Sequence, residues 1–125
     1  SNKTLITISD QGFAAVVMEN CKSGGGECNI IKDDLMGGLD TLYRETDALV
    51  VMPGGSETIA IFSFYYLSGV IKGDHKPILL FGDTWKSMYK TMEINYVFNE
   101  GERASLFFID SIKQTTKILD GADEN

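Results

Sequence analysis

The run Pro53-Gly54-Gly55-Ser56-Glu57-Thr58 holds the residue types with which a strand-to-helix turn can hold a small polar ligand. Successive glycines let the backbone approach a ligand with no Cβ in the way, and the amides that open a helix can receive an anion. Pro-Gly-Gly is equally a good turn with no ligand at all. Glu57 sharpens the question. An anion at a helix N-terminus gains about 0.3–2 kcal/mol, whereas two unit charges about 5 Å apart at an effective dielectric near 20 repel by roughly 3 kcal/mol. A phosphate in this turn is therefore disfavoured unless Glu57 points away or a cation bridges the two. Glu57 then either answers the helix dipole itself or accepts hydrogen bonds from ribose hydroxyls or another uncharged polyol.

Other chemistry-bearing residues are sparse. Asp10, Gln11 and Gly12 follow a short apolar run and are expected to face the same cleft as Glu57, as further ligand contacts. His75 is the only histidine and stands in the polar stretch Gly73-Asp-His-Lys76, where a solvated role is expected. With a single histidine and no serine in a G-x-S-x-G elbow, a catalytic triad is not expected. Asp33 and Asp34 are sequence neighbours whose side chains diverge in a helix or strand, and they read as loop solvation. Cys21 and Cys28 could pair across Gly24-Gly25-Gly26, but in a chain read as cytoplasmic they are expected to be reduced. Their spacing is not that of a metal site. Neither a metal nor a cofactor is expected.

The elements that position these residues follow from apolar patterning. Strands are expected at Thr4–Ile8, Cys28–Ile31, Ala48–Met52, Pro77–Phe81 and Leu106–Ile109. Helices are expected at Phe13–Lys22, Leu39–Glu45, Ser56 to about Ile71, a segment carrying Trp85, Met88, Tyr89 and Met92, and Ser111–Leu119. Lys32–Gly38 and Asn99–Arg103 read as loops, and Gly121–Asn125 as a frayed acidic tail. The run Ala48–Met52 does not alternate, which suits a parallel strand covered on both faces. Strands alternating with helices imply βαβ units. The predicted fold is therefore α/β, a Rossmann-like doubly wound parallel sheet of about five strands with helices on both faces, a three-layer sandwich in one domain. In such sheets ligands bind beyond the carboxyl ends of the strands.

Bulk properties narrow the partners. The 125 residues are 43% hydrophobic and 23% charged, as in an ordinary globular domain. A formal charge of −7 with scattered Lys and Arg argues against nucleic acid. No stretch approaches the roughly 18 apolar residues of a membrane span, and the first apolar run is too short for a secretory h-region. Ser1-Asn2 reads as the remnant of tag cleavage. The cluster Phe62, Phe64, Tyr65, Tyr66 and Leu67 is more aromatic than one buried helix face requires, which raises self-association as a role.

Several of these segments together resemble the Lonely Guy (LOG, lysine decarboxylase-like) family. Asp47-Ala-Leu-Val-Val-Met-Pro-Gly-Gly55 is similar to its strand and phosphate-binding turn, whose hallmark is PGGxGTxxE. Asp74-His-Lys-Pro-Ile-Leu-Leu80 resembles the approach to its next strand, and Phe107-Phe-Ile-Asp-Ser111 its final strand and last helix start. Gly12-Phe-Ala-Ala-Val16 and Gly25-Gly26 look like a worn version of its GxMGA helix and the glycine turn after it. The similarity runs in order over about residues 4 to 119.

The resemblance implies a Rossmann-like, usually dimeric protein that takes nucleoside 5′-monophosphates and hydrolyses their N-glycosidic bond. It also implies what this chain lacks. The second glycine position of the motif is Glu57, the catalytic glutamate position is Ile61, and the family's Arg-Lys pair falls on Gly38 and Leu39. The glycine-rich turn before the first helix reads Ser9-Asp10-Gln11, and the family's opening strand has no counterpart. The expectation is a diverged, non-catalytic binder of a nucleotide or phosphorylated sugar, with no catalytic residue assigned. A hydrolase with a relocated carboxylate, Glu57 or Asp10, and an oligomeric scaffold are the alternatives.

Overall fold

The structure, a computed structural model, describes residues 4–7, 13–31, 34–94 and 103–123. Among the described residues strands and helices alternate, and all strand pairing is parallel. The fold is α/β with the strand–helix alternation of Rossmann-like proteins. Its five strands are joined as a pair and a triplet among the described residues, not as one continuous ladder. The chain divides into two compact units, Ser1–Thr46 and Asp47–Asn125.

In the first unit, β1 (Thr4–Thr7) pairs with β2 (Glu27–Ile30), Leu5 opposite Cys28. Helix α1 (Phe13–Ser23) joins them and packs on both strands. It ends in glycines because the chain reverses there, Gly25 adopting a φ of 76° that side-chain-bearing residues avoid. Helix α2 (Leu35–Glu45) buries Leu39, Leu42 and Tyr43 on one face.

Helix α2 begins four residues before the expected Leu39. Asp34, read from sequence as a solvated loop residue, is its N-cap, and its Oδ1 accepts a hydrogen bond from the Gly37 amide at 2.7 Å. Gly37 and Gly38 looked like loop residues, yet both are helical, and Gly38 is buried. Asp33 lies outside the described residues.

The two cysteines also differ from expectation: Cys21 and Cys28 form a disulfide rather than staying reduced. The glycine turn folds β2 back against the end of α1, which sets the two Cα atoms 6.5 Å apart, within disulfide reach.

In the second unit the sheet order is β3 (Leu49–Val51), β4 (Ile78–Phe81), β5 (Leu106–Ile109). Each strand is followed by a helix that packs on it: α3 (Ser56–Lys72), α4 (Asp83–Ile94) and α5 (Ile112–Asp123). Helix α5 carries on through Gly121 to Asp123, where a frayed tail was expected. A short 3-10 turn, Arg103–Ser105, leads into β5, and the rest of the expected loop from Asn99 lies outside the described residues.

Successive side chains of a strand face opposite sides. Leu80 lines a small cavity with Phe62, Trp85, Met88, Tyr89 and Met92, which sets α3 and α4 on one face. The Phe62 and Trp85 rings meet edge to face at 5.7 Å, and Tyr89 meets Phe108 at 5.1 Å. On the other face Leu79 and Ile109 are fully buried, so β4 and β5 are covered on both sides. The edge strand β3 is not: Val50 is 39% exposed, against the expectation of cover on both faces.

Gly69 on α3 is buried because the following loop lies against it, and a Cβ there would stand 3.2 Å from the Asp74 carbonyl oxygen and 3.4 Å from His75 Nδ1. His75 itself is exposed, as expected. No described helix is long and apolar enough to cross a membrane.

Candidate functional site

Three parallel strands end on the same side of the second unit, and each runs into a helix: Met52–Gly55 after β3, Gly82 after β4, and Asp110-Ser111 after β5. Contacts link the three turns. Gly82 adopts a φ of 103°, and a Cβ added to it would meet Pro53 Cγ at 3.5 Å. The Gly82 amide donates to the Ile109 carbonyl oxygen at 3.1 Å. Lys86 on α4 pairs with Asp110 at 3.0 Å and approaches Asp83 at 3.9 Å.

The starts of α3 and α5 are finished differently. At α5, Gln114 Oε1 accepts from the Asp110 and Ser111 amides, while Ser111 Oγ faces the Gln114 amide at 3.4 Å. That reciprocal arrangement is a capping box, and it satisfies donors that a ligand would otherwise use. At α3 the N-cap is Gly55, which has no side chain to cap with. The leading amides of α3, which like those of any helix lack an intrahelical acceptor, thus have no side-chain cap among the described residues. Gly55 has nothing within 4 Å of a would-be Cβ, so this side of the N-cap is open among the described residues.

Gly54 is the opposite case. A Cβ there would overlap Thr58 Oγ1 and stand 3.0 Å from Thr58 Cβ. The first glycine packs the turn onto its own helix, and the second leaves the approach clear. Pro53, Gly54, Gly55, Ser56 and Glu57 are exposed and Thr58 is half-buried; these six of the nine residues expected at the site form one continuous turn and helix start. Asp10, Gln11 and Gly12, the other three, lie outside the described residues.

The electrostatics of this edge do not favour a bare anion. Glu57, Asp83 and Asp110 outnumber the lysines Lys86 and Lys113 in the turns and first helical turns, and Lys86 already serves Asp110. Glu57 has no ion pair among the described residues. Its carboxylate is an acceptor next to backbone donors that no described side chain caps, an arrangement suited to a hydroxyl-rich ligand that both gives and takes hydrogen bonds.

Ile61, one turn further along α3, is half-buried and supplies no acid or base. Gly38 on α2 likewise supplies no cation. No group of three or more His, Cys, Asp or Glu side chains among the described residues is placed to hold a metal.

Sequence reasoning missed Gly82, Asp83, Lys86 and Asp110. Phe81-Gly82-Asp83 repeats the order strand, glycine, helix start, and Ser111-Ile-Lys-Gln114 is a capping-box pattern, so both signals were available. Family models, curated proteins and solved structures all give no match to this chain.

Proposed function

We propose that this chain is a non-catalytic binding protein of LOG-like fold that takes a nucleoside or nucleotide at the carboxyl edge of β3–β4–β5. The uncapped, open glycine junction at the head of α3 carries the reading, since the other well-defined junction, at α5, is closed by its own side chains. Backbone amides of Ser56 and Glu57 contact the ligand, and the Glu57 carboxylate accepts hydrogen bonds from the ribose hydroxyls. Binding proceeds without hydrolysis because Ile61 and Gly38 stand where the resembled family places its catalytic glutamate and its arginine. A thermal-shift scan against nucleosides, nucleoside 5′-monophosphates and ribose 5-phosphate tests this. A ligand at about a hundred times its Kd adds roughly 2.7 kcal/mol, several degrees in a domain of this size. No shift with any of them contradicts the reading.

A second role, assembly into a homodimer, is favoured by one observation. Ile59, Leu67 and Ile71 are exposed at helical spacing on α3, Leu67 at 53% and Ile71 at 73%, with Ser63 between them. Of the cluster Phe62, Phe64, Tyr65, Tyr66 and Leu67, Phe62 and Tyr65 are core, Phe64 and Tyr66 are half-buried, and Leu67 belongs to this exposed face. Light scattering of Leu67→Lys against the parent chain checks it: a dimer that becomes monomeric supports assembly through α3, and a monomeric parent refutes it.

A further inference from the structure

The two strands of the first unit are thinly held. In β2 the side chains alternate between exposed and half-buried, and in β1 Thr4 is exposed while Leu5 and Ile6 are half-buried. None of these described side chains is buried, in contrast to β4, where Ile78, Leu79 and Leu80 all are. Two-stranded pairings of this kind are marginal in water without a well-buried face. Helix α1 buries Met18, and its last turn is tied to the Gly24-Gly25-Gly26 turn by three backbone hydrogen bonds, from the amides of Gly24, Gly25 and Gly26. All three glycines are exposed, so water competes for those bonds.

The covalent tie across this segment is Cys21–Cys28, which joins the end of α1 to the second residue of β2. Both cysteines are half-buried, and the residues from Lys22 to Glu27 between them are exposed. The bond thus lies in a largely exposed stretch of the chain rather than in the core. Gly26 lies close against the bond, since a Cβ there would stand 3.0 Å from Cys21 Sγ and 3.2 Å from the Cys21 carbonyl oxygen.

We propose that Cys21–Cys28 is a redox-gated latch, such that its reduction loosens α1 and β2 while the second unit keeps its fold. The reductant is a dithiol. Its thiolate attacks one cysteine sulfur, the S–S bond breaks, and a mixed disulfide forms with release of the other cysteine as thiolate. The second reductant thiol then displaces the first cysteine. The net change is two electrons and two protons to the protein and one disulfide in the reductant. The proposal is independent of the ligand site on the second unit.

The test is hydrogen–deuterium exchange by mass spectrometry on the whole 125-residue chain, with and without dithiothreitol, alongside thiol alkylation and the double variant Cys21→Ser/Cys28→Ser. The expected result is two alkylatable thiols only after reductant. Exchange in peptides spanning 13–31 should then rise by on the order of tenfold or more, with peptides covering Ile78–Phe81 and Leu106–Ile109 unchanged. The double variant should exchange at the fast rate whether or not reductant is present. Free thiols before reduction, a bond that resists dithiothreitol in the folded chain, unchanged exchange in 13–31 after reduction, or loss of protection across both units would each overturn the latch.

Discussion

Gly54 sits against the side chain of Thr58, so that a Cβ at position 54 would be 3.0 Å from Thr58 Cβ and would overlap the hydroxyl. Gly55, the next residue, has open space where its Cβ would be. The two glycines thus serve different purposes within one turn. Gly54→Ala should cost about 1–3 kcal/mol by overpacking, read as a lowered midpoint in urea unfolding at unchanged slope. A cost below about 0.5 kcal/mol would mean that the turn is looser than described.

Gly55→Ser should do the reverse. The backbone there is extended, at φ −95° and ψ −150°, as a serine N-cap requires. A hydroxyl would supply the missing cap and raise stability by a few tenths to about 1 kcal/mol. It would also occupy the space in front of the α3 amides and weaken ligand binding. Stability and affinity moving in opposite directions, by thermal melting and calorimetric titration, is the expected signature.

The core between α3 and α4 gives a contrast of its own. Trp85 is buried edge-on to Phe62, and its Nε1 has no hydrogen-bond partner among the described residues. Trp85→Ala should cost about 3–5 kcal/mol by leaving a cavity. Trp85→Phe keeps most of the packing and removes an unsatisfied buried donor, so its cost should stay under about 1.5 kcal/mol. Equal losses in the two variants, measured by chemical denaturation, would contradict this account of the site.

Asp34→Ala removes the cap of α2 and should cost about 1 kcal/mol, with helicity lost over the first turn of α2 by hydrogen exchange. Lys86→Ala, in contrast, breaks exposed ion pairs and should change stability by no more than about 1 kcal/mol.

Apolar patterning made the element order legible, because strands as short as Leu106–Ile109 are continuous apolar runs between polar turns. What it hid were features decided by single side chains. Asp34 could be read as solvation or as a cap, and only the position of the Gly37 amide distinguishes them. The Cys21–Cys28 bond depends on how sharply three glycines reverse the chain, which spacing alone does not specify. The candidate turn at Pro53–Thr58 was legible from its residue types, but its distinction from the α5 junction was not. That distinction rests on Gln114 reaching back to the Asp110 and Ser111 amides. The apolar stripe of Ile59, Leu67 and Ile71 was masked in sequence by the aromatic residues interleaved with it.

Glu57 should also set the ligand's charge. Replacing an exposed carboxylate by Glu57→Gln relieves a repulsion of about 1–2 kcal/mol after solvent screening. Nucleoside monophosphates should then bind roughly tenfold tighter, while free nucleosides should bind less well for loss of a charged acceptor. Parallel changes for both ligands in calorimetry would remove Glu57 from the site.

The most direct test of ligand binding at the head of α3 is a titration of the 15N-labelled chain with a nucleoside, followed by amide chemical shifts. The account predicts saturable shifts at Gly54, Gly55, Ser56 and Glu57 and smaller ones at Gly82, with the capped start of α5 at Ser111 and Gln114 unmoved. Saturable shifts confined to other regions, or none at millimolar nucleoside and nucleotide, would contradict it.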